Sequence, residues 1–192
     1  MQFEFLKSQE GETIEGLLLL KPEIYKDSRG FFMESWNAKE FNKVVKKEVL
    51  FIQDNHSNSV QGVLRGLHYQ SNPFSQGKLI RCIKGKIFDV AVDIRESSNT
   101  FGQWVGVILD SINNYQLWIP EGFAHGFLTL SKNADVAYKT NQYWMKRYEA
   151  SIRWNDPNIA IKWPLENLKP LLSEKDSKAP LFYSINKDSL FR

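Results

Sequence analysis

The chain of 192 residues contains a single cysteine and only three histidines. One cysteine excludes a disulfide framework within the chain, and the apolar run around Cys82 predicts a buried, reduced thiol. No apolar run approaches the roughly 18 residues that a membrane span needs. The 25 basic and 22 acidic residues are interleaved along the chain, so nucleic acid is not an expected partner. These absences predict a soluble, unexported protein of the cytoplasm.

Short strand-like runs, separated by Gly, Asn, Asp and Pro, follow one another along most of the chain. This pattern is typical of a β-sandwich or a β-barrel. The length fits one domain, residues 1–192, that can bury a core without disulfides or metals. The predicted strands are 14–21, 30–35, 49–54, 63–70, 78–83, 87–94, 104–110, 116–119, 124–130 and 136–143.

A helical pattern occurs only in residues 38–47, where Asn37 is the predicted N-cap and Phe41 lies on the apolar stripe. One short helix cannot cover so many strands. The strands must therefore cover each other in a two-sheet sandwich or jelly roll. Residues 169–192 are expected to form a tail over this body.

Residues 62–70 read Gly-Val-Leu-Arg-Gly-Leu-His-Tyr-Gln, which is more polar than a core strand requires. Arg65 and His68 are three residues apart, so a regular strand would place them on opposite faces. Gly66 permits a bulge that would bring both side chains to one site. In the other interpretation, Arg65 is solvated and His68 is a buried structural residue. The spacing leaves both interpretations open.

The two other histidines and two strand carboxylates are weaker candidates. His56 stands in a polar stretch that predicts a loop and a structural role. His125 is either a core histidine bonded to the backbone or a ligand contact. In the predicted strand 87–94, Asp89 and Asp93 lie on the polar face, where stabilisation of the fold is the expected role.

A metal site in a β-barrel would need more ligands than this sequence offers. Barrels of the cupin type hold a metal with a His-x-His pair, a following Glu and a later His. His68 and His125 fit this pattern in outline, but Gln70 occupies the place of the second histidine, and Gln76 is the next polar residue. Two imidazoles without a carboxylate are a poor ligand set, so no catalytic metal is predicted.

Eight motifs, taken together and in order, carry a resemblance to a known family. They occupy residues 27–34, 51–57, 62–70, 76–81, 89–95, 119–127, 154–157 and 172–176. Through them the chain resembles the dTDP-4-dehydrorhamnose 3,5-epimerases, enzymes of dTDP-L-rhamnose synthesis. The resemblance implies an all-β, cupin-type double-stranded β-helix (jelly roll) with one or a few short peripheral helices.

The reaction implied by this resemblance needs no cofactor. The substrate would be dTDP-4-dehydro-6-deoxy-D-glucose, in which the C4 ketone acidifies the hydrogens at C3 and C5. A base removes a proton to give an enolate, and an acid returns a proton on the opposite face. Epimerisation at both carbons gives dTDP-4-dehydro-L-rhamnose.

The resemblance also assigns roles to four catalytic residues. His68 is the base, and Asp176 orients and charges it. Lys78 stabilises the enolate oxygen. Tyr138 is the acid on the other face.

Substrate contacts are implied at ten further positions, which are Arg29, Phe32, Glu34, Gln53, Asn55, Arg65, His125, Trp144, Glu149 and Lys175. Arg65 and Lys175 correspond to contacts with the diphosphate. The first three positions reach across from the partner in a homodimer that exchanges N-terminal strands and shares its active sites. Trp144 departs from the family, which has a tyrosine at this thymine-stacking position, so the phenol hydroxyl is lost.

Other functions remain open from sequence alone. The nearest are an epimerase that acts at C3 or C5 only and a ketoisomerase of a related dTDP-keto sugar. A more remote alternative is a cupin that binds a sugar nucleotide without turnover. A metal-dependent dioxygenase is disfavoured by Gln70.

Overall fold

The computed structural model describes residues 2–166, 168–186 and 189–191. Within them the chain forms thirteen strands, two α-helices and two short 3-10 helices. The strands are β1 (Gln2–Lys7), β2 (Thr13–Lys21), β3 (Tyr25–Asp27), β4 (Gly30–Phe32), β5 (Gln53–Val60), β6 (Leu64–Gln70), β7 (Lys78–Lys84), β8 (Lys86–Asp93), β9 (Trp104–Asp110), β10 (Gln116–Ile119), β11 (Phe123–Thr129), β12 (Asn133–Thr140) and β13 (Glu149–Ser151). The α-helices are α1 (Ala38–Val45) and α2 (Glu174–Ser177), and the 3-10 helices are Lys146–Tyr148 and Phe182–Ser184.

Eleven of these strands form two antiparallel sheets, as the sequence predicts for a sandwich. The six-stranded sheet has the order β1-β2-β10-β7-β12-β5, and the five-stranded sheet has the order β13-β6-β11-β8-β9. The remaining two strands, β3 and β4, pair only with each other as a hairpin. Neighbours in the sheets are mostly distant in sequence, which is the arrangement of a jelly roll.

The main hydrophobic core lies between the two sheets. Ile80 and Leu117 contribute from the six-stranded sheet, and Ile87, Ala91 and Phe127 contribute from the five-stranded sheet. Burial of these alternate side chains is the main favourable term that holds the sheets face to face.

The outer face of the six-stranded sheet is covered by α1. The helix begins after Asn37, whose side chain accepts a hydrogen bond from the Glu40 N–H at 3.1 Å, so the predicted N-cap is confirmed. Phe41 is fully buried against Trp118, with ring centroids 5.1 Å apart. Among the described residues, no helix has the length and apolar character needed to cross a membrane.

The outer face of the five-stranded sheet is covered by the C-terminal part of the chain. Ile152, Trp163, Phe182 and Phe191 pack there against Val90 and its neighbours. The predicted tail therefore does lie over the body, and its described part belongs to the core.

Most predicted strands occur within a few residues of their expected bounds, but 49–54 is wrong, since β5 runs from Gln53 to Val60. His56 consequently lies in a strand, where it contacts Asp135 at 3.2 Å, and not in a loop. The polar alternation of β5 hid it from a search for apolar periodicity. Strands β1, β3 and β13 and helix α2 were not predicted either.

The expectation that one face of β8 is core and the other, with Asp89 and Asp93, is polar is also wrong. Both side chains are fully buried. Arg95 binds Asp93 through two hydrogen bonds of 2.9 and 2.7 Å, and Ser98 and Thr100 donate to the same carboxylate. Asp93 therefore has hydrogen bonds that stabilise the fold, which is the expected role, but its carboxylate is buried in the interior.

Strand β6 is irregular at Gly66, so the structure has the bulge that the sequence permitted as one of two open interpretations. His68 pairs with His125 and Arg65 with Phe127, so one residue of β11 faces two residues of β6. Gly66 has φ +125°, and a Cβ built there would stand 2.5 Å from the Cα of Gly126. This close backbone approach brings the side chains of Arg65 and His68 to one side of the sheet.

We expect Gly66→Ala to lower the free energy of unfolding by at least about 2 kcal/mol, because alanine is strained at this φ and its Cβ overlaps backbone atoms. Gly11→Ala is the matched control, since Gly11 has φ +86° and no atom within 4 Å of the added Cβ, and should cost about 1 kcal/mol. Urea unfolding measures both values. Equal losses would show that the close approach carries no additional cost.

Candidate active site

A cavity of about 340 Å³ opens between the two sheets and gathers most of the predicted site residues. The five-stranded sheet supplies Arg65, His68, His125 and Glu149. The six-stranded sheet supplies Gln53, Asn55, Lys78 and Tyr138. Trp144 and Asp176 complete the group from outside the sheets.

His68 and Asp176 form a close pair at the bottom of one wall. The Nε2 of His68 lies 2.5 Å from an Asp176 carboxylate oxygen. Ser173 caps helix α2 by accepting a hydrogen bond from the Asp176 N–H at 3.1 Å, which holds the buried carboxylate in place. Burial alone would raise the pKa of Asp176, but the hydrogen bond and charge of His68 outweigh it and lower that pKa. Asp176 is thus a carboxylate that is placed to orient the ring of His68.

Tyr138 stands on the opposite wall. It lies in β12, directly paired with Asn55 of β5 and Ile80 of β7. Burial raises the pKa of the Tyr138 phenol, although the charge of Arg65 opposes the shift. The phenol therefore keeps its proton at neutral pH and is able to donate it.

Lys78 is a buried cation at the edge of the same cavity. Its Nζ donates to the carbonyl oxygen of His68 at 3.4 Å. Burial lowers the pKa of the ammonium group from 10.5 to about 8, against the opposing charges of Asp89 and Glu149. A cation that is poorly solvated in this way interacts strongly with any negative charge that develops near it.

A second histidine–carboxylate pair lies beside the first. His125 is the cross-strand partner of His68 and contacts Asp89 at 2.9 Å through Nε2. The sequence left two roles open for His125, and the structure gives a different partner: the ring is bonded to a buried carboxylate and not to the backbone. It lines the cavity as well.

Two of the predicted cations are placed differently: Arg65 lines the cavity, whereas Lys175 does not line it but binds the lining residue Glu149. Arg65 donates to the Ser59 hydroxyl at 3.0 Å. Lys175 forms an ion pair with Glu149 at 2.7 Å. Burial would raise the pKa of Glu149, but the hydrogen bond and charge of Lys175, with a hydrogen bond from the Trp144 side chain, lower it.

Three predicted site residues lie apart from the cavity of their own chain. Arg29 is at the tip of the β3–β4 hairpin, where it forms an exposed ion pair with Asp27 at 2.6 Å. Phe32 is 69% exposed on the same hairpin. Glu34 accepts hydrogen bonds from Asn37, at 3.0 and 3.1 Å.

Several cavity residues were missed from the sequence. Ser57 is one of them: on β5 it continues the inward alternation of the predicted contacts Gln53 and Asn55, and this polar alternation was the signal that could have found it. The Ser57 hydroxyl lines the cavity and, among the described residues, has no hydrogen-bond partner although it is buried. Gln70 and Gln76, considered in the sequence only as failed metal ligands, also line it.

The described side chains of the cavity do not form a ligand set for a metal ion. In the described part of the chain, no three His, Cys, Asp or Glu side chains are grouped so that they could hold a metal ion. The two histidines of the cavity each contact one carboxylate instead.

Comparison with known proteins gives consistent matches over nearly the whole chain. The profile of the dTDP-4-dehydrorhamnose 3,5-epimerase family matches residues 12–184. A Shigella flexneri dTDP-4-dehydrorhamnose 3,5-epimerase is 56% identical over 169 residues, which cover 88% of this chain and 92% of that protein.

Solved structures agree with the sequence matches. The Legionella pneumophila dTDP-6-deoxy-D-glucose-3,5-epimerase, in complex with dTDP-4-keto-L-rhamnose, superposes with a TM-score of 0.92 at 49% identity, covering 100% of this chain and 98% of that one. A Streptomyces bikiniensis 3'-monoepimerase in complex with dTDP-quinovose superposes with a TM-score of 0.83 at 34% identity. The match covers 88% of this chain and 84% of that one. The predicted cupin-type jelly roll is thereby confirmed. The chain belongs to the dTDP-4-dehydrorhamnose 3,5-epimerase family, and it is an epimerase of the isomerase class.

Proposed function

We propose that the chain epimerises dTDP-4-dehydro-6-deoxy-D-glucose at C3 and C5 with His68 as the base and Tyr138 as the acid. The observation that carries this proposal is the position of the two groups on facing walls of one cavity. Inversion at a carbon requires that a proton leave one face of the sugar and return to the other. A sugar ring between the sheets has His68 on one face and Tyr138 on the other.

His68 acts as the base with the support of Asp176. The carboxylate accepts the hydrogen bond of one ring nitrogen, so the other nitrogen is free to take the proton from carbon. The negative charge of Asp176 then stabilises the imidazolium. Because C3 and C5 flank the same ketone, one base can serve both carbons in turn.

Lys78 stabilises the enolate oxygen that forms at O4. Its ammonium group is buried and lies within reach of the His68 backbone, which places positive charge next to the base. Charge that is preorganised in a poorly hydrated site lowers the barrier to enolate formation.

The nucleotide end of the substrate is bound by the cationic and aromatic side of the cavity. Arg65 and Lys175 contact the diphosphate, and Gln53, Asn55, His125 and Glu149 provide hydrogen bonds. Trp144 stacks on the thymine base. Its indole ring is 51% exposed in the free chain, as a stacking surface must be.

The complete site requires a second copy of the chain. Within the part of the chain that the structure describes, strands β3 and β4 pair with no other strand, and Tyr25, Phe31 and Phe32 on them are all exposed. Such an apolar hairpin is stabilised when it packs on another surface. The hairpin extends into the partner of a homodimer, where Arg29, Phe32 and Glu34 contact the substrate in the partner's cavity.

The cytoplasm is the proposed location, since the buried Cys82 thiol is unpaired and a nucleotide sugar is the substrate. Residues 1–192 act as one domain. An epimerase that acts at C3 alone is the second candidate, because a 3'-monoepimerase shares this fold.

Hydrogen exchange tests the function directly. Incubated in D₂O with dTDP-4-dehydro-6-deoxy-D-glucose, the protein should introduce deuterium at both C3 and C5, as followed by NMR. We expect His68→Asn to slow exchange at both carbons by about 10²- to 10⁴-fold. Tyr138→Phe should slow product formation by a similar factor but retain exchange, because the enolate still forms and His68 returns deuterium to the original face. Both variants should bind dTDP within about threefold of the parent.

The other outcomes of this experiment separate the alternatives. Exchange at one carbon only would identify a mono-epimerase. Tight dTDP binding without any exchange would identify a binding protein. Equal losses of dTDP affinity and turnover in Tyr138→Phe would contradict the role of Tyr138 as the acid.

The pKa of Lys78 predicts the alkaline limb of the pH profile. Because burial lowers this pKa to about 8, the free enzyme loses the required ammonium charge as the pH rises through that value. We expect kcat/KM to fall as the pH rises, with a midpoint near the Lys78 pKa of about 8. Lys78→Arg stays protonated, so its profile should lose this limb whatever its absolute rate. A limb that persists in Lys78→Arg would assign the titration to another group.

Shared active sites predict complementation between two impaired variants. Arg29→Ala and His68→Asn should each be nearly inactive alone. Coexpressed with two affinity tags, they form heterodimers in which one site contains both native residues. A random mixture should recover about one quarter of the parent activity, and purified heterodimer about one half. Failure to recover activity in a purified heterodimer would show that Arg29 does not serve the partner's site.

A further inference from the structure

Three glutamines bind the backbone of the segment that carries Trp144. We define the tryptophan loop as residues 141–145, which follow β12 and form no regular structure. Gln76 donates to the Gln142 carbonyl at 2.8 Å, and Gln70 donates to the Tyr143 carbonyl at 3.1 Å. Two of these glutamines also accept hydrogen bonds from the loop. Gln53 accepts from the Trp144 N–H at 3.0 Å, and Gln70 accepts from the Met145 N–H at 2.6 Å.

Gln70 is the central member of this set. It is only 3% exposed, and its amide group makes three hydrogen bonds, the third being a donation to the Phe74 carbonyl at 2.6 Å. Two donors and one acceptor are needed at once, and only an amide side chain of this length provides them. A carboxylate here would face two carbonyl oxygens without a proton to donate.

Polar contacts also lie beside the indole ring and at the start of the loop. Glu149 lines the cavity together with Trp144 and is bound by Lys175 at 2.7 Å. At the start of the loop, the Gly77 N–H donates to the Asn141 side chain at 2.7 Å. The exposed side chain of Trp144 is therefore carried on a loop whose backbone is hydrogen-bonded to the side chains of three glutamines.

We infer that Gln70 is a positioning residue that presets Trp144 as the nucleobase platform, with Gln53 and Gln76 as supports. This inference rests on the proposed role of Trp144 as the base contact. A platform that is ordered before binding does not incur the entropic cost of ordering a loop, so the nucleotide binds more tightly. Because the nucleobase is remote from C3 and C5, its contact with Trp144 contributes equally to binding of the ground state and of the transition state. It affects KM and not kcat.

The test compares Gln70→Glu and Gln70→Met with a matched control. Both variants should raise the dissociation constant of dTDP, measured by calorimetry, and KM by about tenfold, with kcat changed less than about threefold. Asn114→Asp is the control. Asn114 is 5% exposed, and its amide also donates to two backbone carbonyls, both at 3.3 Å. Unlike Gln70, it lies outside the cavity. It should lose stability with dTDP affinity unchanged.

A double-mutant cycle separates positioning from general destabilisation. If Gln70 acts through Trp144, the variant Gln70→Met with Trp144→Ala binds dTDP no more weakly than Trp144→Ala alone. Additive losses, or a fall in kcat with KM unchanged, would overturn the inference. If Trp144→Ala itself leaves dTDP affinity unchanged, the proposed contact between Trp144 and the thymine base is wrong, and the inference about Gln70 is overturned with it. Gln76→Glu, at the other end of the loop, provides the same test should Gln70 variants not fold.

Discussion

The close approach of two backbones at Gly66 and Gly126 is the constraint on which the site depends. A Cβ at Gly126 would stand 2.7 Å from the Arg65 carbonyl oxygen, so neither position admits a larger residue without movement of the backbone. The two strands meet closely here because both residues lack a side chain. The resulting bulge directs Arg65 and His68 into one cavity, whereas regular strands would direct them to opposite faces.

A polar cavity inside a sandwich creates a second requirement, since buried polar groups must be satisfied. The chain meets it with paired groups: each cavity histidine has its own carboxylate, and Lys175 has Glu149. The Ser57 hydroxyl is an exception among the described residues. The outer surfaces of both sheets are closed by apolar cover, which leaves the space between the sheets as the place where polar groups meet.

Local patterns in the sequence predicted most strands and helix α1, because each depends on neighbours within a few residues. The bulge at Gly66 was one of two interpretations that the spacing left open. Strand β5 was misplaced because its inward side chains are polar and give no apolar period. The faces of β8 were misjudged because burial of Asp89 depends on a sheet contributed by distant residues. The site residues came from resemblance, whereas the contacts of Gln70 with the tryptophan loop require the tertiary fold.

The pair formed by His68 and Asp176 joins positions 108 residues apart along the chain. Closing a loop of this length costs conformational entropy before the contact is gained. The carboxylate also arrives on the segment that covers the outer face of the five-stranded sheet. The carboxylate that contacts the proposed base is therefore in place only when that cover has docked, and a collapsed chain with both sheets formed would still lack the partner of His68.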